Sequence, residues 1–413
     1  MQNWTKKNKK LREKAGGGCY KRIEAGRNLY TYENLLKCYY ECRRRKRHTA
    51  NAINFEINFE RELLKLEKEL KTHTYYPGRS ICFVVTDPKP REIFAATFRD
   101  RIVHHILVNY LEPIWEPKFI DQSYSCRKGK GAHRALLDLR RYIRQVSHTA
   151  REKVYYLKID IQSFFVSLRK DVLLDLIQKR VKNKEVLWLT KLVIFHNPTR
   201  NYYRKSPKSL FNLIPDHKSL FKVKPTQGLP IGNLTSQFFA NVYLDPLDQF
   251  IKHKLKVKYY LRYVDDLLFL SQNKVQLVEW KNAINHFLDE RLGLRLHPDK
   301  QVLREVREGI DFVGFVVKPD YVLMRQRIVH NLKNKLWRFN RNKEQIDQEK
   351  IAQMLSIVNS YYGQFKHAKT FSLRRKLYEN NFDTLKNFLR PKDKNFNYFR
   401  SPESRFKSQS SRV

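Results

Sequence analysis

Three carboxylates stand out for their surroundings. Asp160 closes the apolar run Leu157-Lys158-Ile159-Asp160-Ile161, and Asp265-Asp266 interrupt Arg262-Tyr263-Val264-Asp265-Asp266-Leu267-Leu268, 105 residues downstream. The chain carries 83 Lys and Arg against 41 Asp and Glu, so adjacent acids among Leu, Val and Tyr are out of character. An unpaired charge in an apolar setting is costly, and these carboxylates therefore need a cation. Mg²⁺ prefers carboxylate oxygens and keeps positions open for phosphate. Two such ions roughly 4 Å apart can activate an attacking hydroxyl and stabilise the leaving oxygen of an in-line displacement. A lone Asp-Asp would suit an exposed hairpin turn. The second, strand-ending acid at 160 is what favours chemistry over a plain turn.

The rest of the composition narrows the partner. A formal net charge of +42 over 413 residues is tolerable mainly beside a polyanion, and nucleic acid is the default one. The charge is uneven: residues 1–48 hold 15 basic and 4 acidic residues, and 325–413 hold 21 and 7. Hydrophobic residues at 41% are too many for a disordered basic tail protein. No run reaches the length of a membrane span, and the N-terminus lacks the apolar stretch of a signal peptide. No membrane partner is expected, and the location is expected to be cytoplasmic. The five cysteines are odd in number and scattered; Cys38 and Cys42 lie one helical turn apart without a second ligand pair, which favours reduced thiols over zinc. Arg127-Lys128-Gly129-Lys130-Gly131 suits a phosphate-lined path or a plain surface loop. The run Arg43 to Arg47 suits a phosphate contact or a solvated helix end.

The elements that must position these residues alternate through the centre. Val154 to Ile159 reads as a strand ending at Asp160, and Tyr259–Tyr263 with Leu267–Leu270 reads as a hairpin around Val264-Asp265-Asp266. Helical spacing covers Asn51–Leu70, Phe98–Leu111, Arg169–Val181, Ser236–Leu255 and Leu277–Arg291. Ile81–Val85 is a strand, followed by a turn at Asp87-Pro88-Lys89-Pro90, and short strands are expected within Leu303–Val317. Residues 182–228 are polar, contain Pro and show no clean period. Beyond Arg325 the pattern is helical (Val329–Asn340, Lys350–Phe365, Ser372–Phe388); Trp337, Phe339, Tyr361, Tyr362 and Phe365 suit stacking on bases or, for most of them, a helical core. The last twenty residues read as disordered.

At this point the residues resemble a known family. Tyr263-Val264-Asp265-Asp266 looks like the YxDD box of reverse transcriptases, and Lys158 to Phe165 looks like their first catalytic motif. Lys89 to Ile93 with Asp100 to Val103, Gly228 to Asn241, Leu292 to Lys300, and Phe312 to Phe315 follow in family order. The resemblance implies an α+β right-hand polymerase: a basic extension (1–48), fingers (49–153), a palm of antiparallel sheet and helices (154–324) with a fingers-type insertion around 182–228, a helical thumb (325–391) and a tail (392–413). It implies an RNA-directed DNA polymerase acting on template RNA, an RNA/cDNA duplex and dNTPs with two Mg²⁺ ions, for which Mn²⁺ can substitute. Asp160, Asp265, Asp266 and the Ile161 carbonyl would be metal ligands. Phe165 would be the aromatic gate against a ribose 2′-hydroxyl. Arg91, assisted by Lys89, would clamp the triphosphate, and Lys300 is either the acid for the departing pyrophosphate or a solvated lysine. Arg127, Lys128, Lys130, Gly232, Asn233, Ser236 and Gln237 would touch nucleic acid.

The segment Leu229-Pro230-Ile231-Gly232-Asn233-Leu234-Thr235-Ser236-Gln237 discriminates further. Where retroviral and group II intron enzymes carry Gln in a Pro-Gln-Gly frame, this chain has Ile231, which cannot hydrogen-bond a nucleotide. The pattern resembles reverse transcriptases of diversity-generating retroelements, bacterial or phage-encoded enzymes that make errors at template adenines. That implies a small basic oligomeric accessory protein as partner. Bacterial reverse transcriptases of phage-defence systems share much of the motif, and a non-catalytic RNA-binding scaffold is a third reading that the intact acids oppose.

Overall fold

The structure is a computed structural model that describes residues 29–401, except 45, 48, 88, 150 and 342–345. Expectations for the Gly16–Gly18 segment, Cys19 and residues 402–413 lie outside the described residues.

The N-terminal layer is helical. α1 (Tyr32–Arg43) starts at Thr31, whose hydroxyl accepts the Asn34 N–H, and it carries Glu33 in its first turn and Arg43 in its last, as the helix dipole favours. α2 (Ala50–Ile57) and α3 (Phe59–Lys71) replace the single helix expected over 51–70, because Asn58 ends one and caps the other. β1 (Ser80–Val85) and β2 (Arg91–Ala95) form an antiparallel pair, and α4 (Phe98–Trp115) and α5 (Ala132–Val146) follow. Leu29, Tyr30, Leu35, Cys38 and Cys42 are buried in the same core as α4. The boundary expected at residue 48 is therefore corrected: residues 29–43 are built into this layer, because their apolar face packs on α4.

The central segment supplies β3 (Tyr155–Ile161), the one-turn α6 (Phe164–Ser167), α7 (Lys170–Gln178), α8 (Lys184–Phe195) and β4 (Tyr202–Arg204). Next come α9 (Leu234–Gln249), β5 (Tyr260–Tyr263), β6 (Asp266–Ser271), α10 (Lys274–Phe287) and β7 (Leu296–Glu305). Residues 182–228, which show no period in the sequence, contain α8 and also β4, which pairs parallel with β1. The main sheet is antiparallel, in the order β5-β6-β3-β7. Its middle strands read as nearly continuous apolar runs because both faces are covered. Leu157, Ile159, Leu267 and Phe269 enter the core shared with α4 and α9, while Tyr156, Leu268 and Leu270 enter a second core with α5 and the C-terminal helices.

β8 (Ile310–Phe312), β9 (Phe315–Val317) and β10 (Val322–Met324) form a small sheet leading to α11 (Gln326–Arg341), α12 (Gln348–Phe365) and α13 (Phe371–Asn381). Tyr362 and Phe365 are fully buried, whereas Trp337 is 59% exposed beside Arg341. The tail expectation is corrected for residues 392–401. β11 (Arg390–Pro391) pairs with β12 (Phe399–Arg400), and Phe399 is buried against Tyr362, Tyr378 and Phe382. Asn359 fixes the returning strand by accepting the Phe399 N–H at 2.7 Å and donating to its carbonyl at 3.1 Å. Phe396 packs there too, against Phe371 and Tyr378, so polar composition concealed aromatic anchors.

Candidate active site

The two acidic motifs meet in the main sheet. Asp160 and Asp266 are direct partners across β3 and β6, so their side chains share one face, and Asp265 sits in the turn before β6. That turn has only two loop residues, Val264 and Asp265, between the paired Tyr263 and Asp266. Val264 has φ +58°, the left-handed region in which a β-branched residue is an outlier. The Ile161 N–H donates to the Asp265 carbonyl at 3.3 Å, which ties the turn to the end of β3.

Two lysines balance these acids. β7 shifts register between its pairings with Ile159 and Ile161, and the extra residues bring Lys300 onto the Asp160 carboxylate. Lys158, two residues before Asp160 and thus on the same face, stands 3.6 Å from Asp266. Asp265 makes no ion pair among the described residues, and burial, then the negative charges of Asp160 and Asp266, push its carboxyl up to about 7. Asp266 is also raised, chiefly by burial. Among the described residues no three His, Cys, Asp or Glu side chains converge as a ready metal site, and two of the carboxylates are paired with lysines. The donor set nevertheless suits a hard divalent cation: oxygen ligands only, on one sheet face, with one acid lacking a counter-charge.

The opposite wall is basic. Arg91 begins β2 and Lys89 lies in the preceding turn; both are exposed, and neither is in an ion pair among the described residues. Sequence reasoning missed a further cation, Lys218, in the aperiodic stretch. Desolvation and the positive charges of Lys300, Lys89 and Arg91 hold it below the usual lysine range, while Asp160 pulls the other way. Lys218 is placed there by Glu92, Arg91's neighbour. The buried Glu92 carboxylate accepts from the Ser219 hydroxyl at 2.6 Å and from the Leu220 N–H at 2.9 Å, pinning the turn to β2. The signal was available only as a buried-acid position alternating with Arg91 along a strand. A cavity of about 370 Å³, lined by Gln162, Ser163, His217, Gln227 and Arg295, adjoins the turn.

The other expected residues divide. Phe165 is half-buried, stacks edge-on with Phe164 and accepts the Leu229 N–H at 2.8 Å, which joins the first motif to the Pro230-Ile231-Gly232 segment. Ile231 is half-buried, and its carbonyl accepts the Phe94 N–H at 2.9 Å. At Gly232, φ is +120° and a Cβ would stand 2.8 Å from Ile93, so the close approach to β2 needs glycine. Gln237 is exposed, but Ser236 is buried, and the buried Asn233 accepts the Ala96 N–H at 3.2 Å, so Asn233 joins layers rather than facing a groove. Arg127 likewise departs from the expected phosphate path: its guanidinium is spent on Glu116 and on the Ile120 and Ser123 carbonyls. Lys130 is held by Asp121 over the Tyr124 ring, and only Lys128, paired with Glu112 at 2.6 Å, is well exposed.

Comparison with known proteins places the chain in a family. The family model described as reverse transcriptase (RNA-dependent DNA polymerase) matches residues 86–317, more than half of the chain. The group II intron-encoded protein LtrA of Lactococcus lactis subsp. cremoris is 24% identical over 313 residues, covering 70% of this chain and 47% of that protein. The COX1/OXI3 intron 2 protein of Saccharomyces cerevisiae is 21% identical over 332 residues, covering 65% of this chain and 35% of that one. The chain thus spans about a third to a half of the length of these curated relatives. A solved apo telomerase from Candida tropicalis, truncated from its C-terminal domain, aligns over 60% of this chain and 55% of its own, with a TM-score of 0.44 and 13% identity. Among the described residues no helix is long and apolar enough to cross a membrane.

Proposed function

The chain belongs to the reverse transcriptase (RNA-dependent DNA polymerase) family, and from that premise we propose that it copies a template RNA into cDNA by two-metal nucleotidyl transfer. One observation carries the reading: Asp160 and Asp266 oppose each other across β3 and β6, with Asp265 beside them at the tip of the turn. Asp160, Asp265 and the Ile161 carbonyl, with Asp266 alongside, would hold two Mg²⁺ ions, and Mn²⁺ has the same oxygen preference. When bound, such ions lower the pKa of the primer hydroxyl and offset charge on the leaving pyrophosphate.

The chain's own residues do the rest. Arg91 presents a planar fork to the triphosphate, and Lys89 and Lys218 add point charges from the same side. Lys300, released from Asp160 when other cations take that carboxylate, can donate a proton to the departing oxygen. Phe165 sets an aromatic wall where a ribose 2′-hydroxyl would stand. Helices α11 to α13 act as a thumb, where basic residues follow the duplex backbone without reading sequence. In this reading residues 49–153 with β4 serve as fingers and 154–324 as palm.

The finer reading is mutagenic copying in a diversity-generating retroelement, with a small basic oligomeric protein as partner. It is supported by Ile231, an apolar side chain at the position that would contact the incoming nucleotide, which leaves base and sugar loosely held. Purified protein with a defined RNA template, primer and dNTPs should give Mg²⁺-dependent cDNA that Asp265→Ala removes; no product from the wild type would sink the polymerase reading. Sequencing that cDNA should place errors at template adenines. A uniform low error rate would count against the mutagenic reading.

A further inference from the structure

Arg262 lies directly before Tyr263-Val264-Asp265-Asp266, and its side chain is completely enclosed, as is that of Asp248 on α9. Its Nε donates to both Asp248 oxygens, at 2.9 and 3.0 Å. One terminal nitrogen donates to Asp248 Oδ2 at 2.6 Å and to Ser123 Oγ at 2.9 Å. The other reaches Asn241 Oδ1 at 3.1 Å and the Val264 carbonyl at 3.0 Å. The network closes outward as well. The Tyr260 hydroxyl donates to Asp248 Oδ1 at 2.8 Å, and the Asn241 amide donates to the Ser125 carbonyl at 2.9 Å.

A buried ion pair is a weak source of net stability, because desolvation cancels much of the attraction. A fully satisfied network does hold its members in one arrangement. What this one holds is the Val264 peptide. Two-residue hairpin turns with positive φ ordinarily use Gly or Asn there, and a β-branched residue needs its surroundings to over-determine the conformation. The contact to the Val264 carbonyl comes from a group fixed by three other side chains, Asp248, Ser123 and Asn241. The backbone is braced too: the Arg262 N–H donates to the Gln122 carbonyl at 2.9 Å, and the Tyr124 N–H donates to the Arg262 carbonyl at 3.0 Å.

We propose that Arg262, anchored by Asp248, is a positioning residue that holds Val264 in its left-handed conformation and thereby sets the direction of the Asp265 carboxylate. The proposal rests on the reading of Asp265 as a metal-holding acid. It assigns Arg262 an effect on turnover rather than on nucleotide or template binding.

The test is a double-mutant cycle in primer extension. Arg262→Lys keeps a charge for Asp248 but loses the fork that reaches Asn241, Ser123 and the Val264 carbonyl together. It should lower kcat by about 100-fold, as expected for a misplacement near 1 Å, with KM for dNTP and affinity for template unchanged within a few-fold. Glycine takes positive φ without a Cβ clash, so adding Val264→Gly to Arg262→Lys should recover at least about tenfold of that loss. Val264→Gly by itself should lower kcat only a few-fold. If Arg262→Lys does not fold, the pair is replaced together by Arg262→Met with Asp248→Leu, and the same glycine rescue is measured. A folded Arg262 variant with wild-type kcat, or a loss that the glycine does not relieve at all, overturns the proposal. Both results require an active wild type, so they are distinct from failure of the polymerase reading itself.

Discussion

The two walls of the cleft are built on opposite principles. The acidic wall is rigid: Asp160 and Asp266 are locked in register on the middle strands of a sheet covered on both faces, and the turn between β5 and β6 is braced from beneath by the enclosed Arg262. The basic wall is loose at its tips: Lys89, Arg91 and Lys218 are exposed, on a strand end and two turns. Only the root of that wall is fixed, by the buried Glu92. The contrast suits the two tasks. On the proposed reading, metal ions would demand oxygens at set distances and angles, whereas a triphosphate would have to be admitted, held and released in every cycle, which long cationic side chains on exposed turns allow.

Changes on the acidic wall should have the largest effects, and opposite ones on activity and stability. Asp265→Asn should reduce Mg²⁺-dependent extension by about 10³-fold or more, a loss of roughly 4 kcal/mol of barrier lowering. The same change should raise Tm by a few degrees in metal-free buffer at pH 8. The folded-state carboxyl of Asp265 is raised to about 7, so its ionisation costs stability once the pH exceeds the ordinary carboxylate range, and the full cost is present above 7. Below that range wild type and variant should converge, which scanning calorimetry from pH 4 to 8 checks. A Tm lowered at pH 8 would mean that the acidic wall is not under electrostatic strain.

Changes on the basic wall should act on binding. Arg91→Ala should raise KM for dNTP by about 10- to 100-fold, the usual worth of charge-assisted hydrogen bonds, while kcat changes less. Lys218→Ala should raise KM about three- to tenfold, and Glu92→Gln, which leaves the turn less firmly held, by a smaller factor in the same direction. Steady-state kinetics across dNTP concentrations separates these from kcat effects. If Lys218→Ala lowers kcat and leaves KM unchanged, the division of labour between the walls is wrong. The smallest effect is expected at Ile231→Gln, with near-normal rate but a fall of about tenfold or less in misincorporation at template adenines, read by sequencing the cDNA.

How legible the site was depends on where each residue's partner lies. Asp160, Asp265 and Asp266 were readable because residue type and local apolar context suffice, and the strand-to-hairpin pattern around them follows from period-2 spacing and β-branched content. Most helices were readable in existence, with ends shifted by a few residues, but Ala132–Val146 and Lys184–Phe195 went unread, and Asn58 broke one helix into two. Arg127 sits in a Gly-rich basic run and Asn233 in a family-like motif, so both looked available for nucleic acid, and the fold spends them on Glu116 and the Ala96 N–H. Residues 392–401 looked like tail because one buried aromatic, Phe399, is no periodic signal.

By itself the sequence determined the acids in their apolar setting, the family order of the motifs, the strong positive charge and the apolar segments that must become a two-faced sheet. Those properties are local, written in residue type and short spacing. Tertiary structure alone decided that Lys300 lies on Asp160, 140 residues away, that Glu92 reaches Ser219, 127 residues away, and that Ser123 reaches Arg262 across 139. A buried charge takes whichever partner the packing brings within hydrogen-bond reach, and no spacing rule along the chain states which one that is.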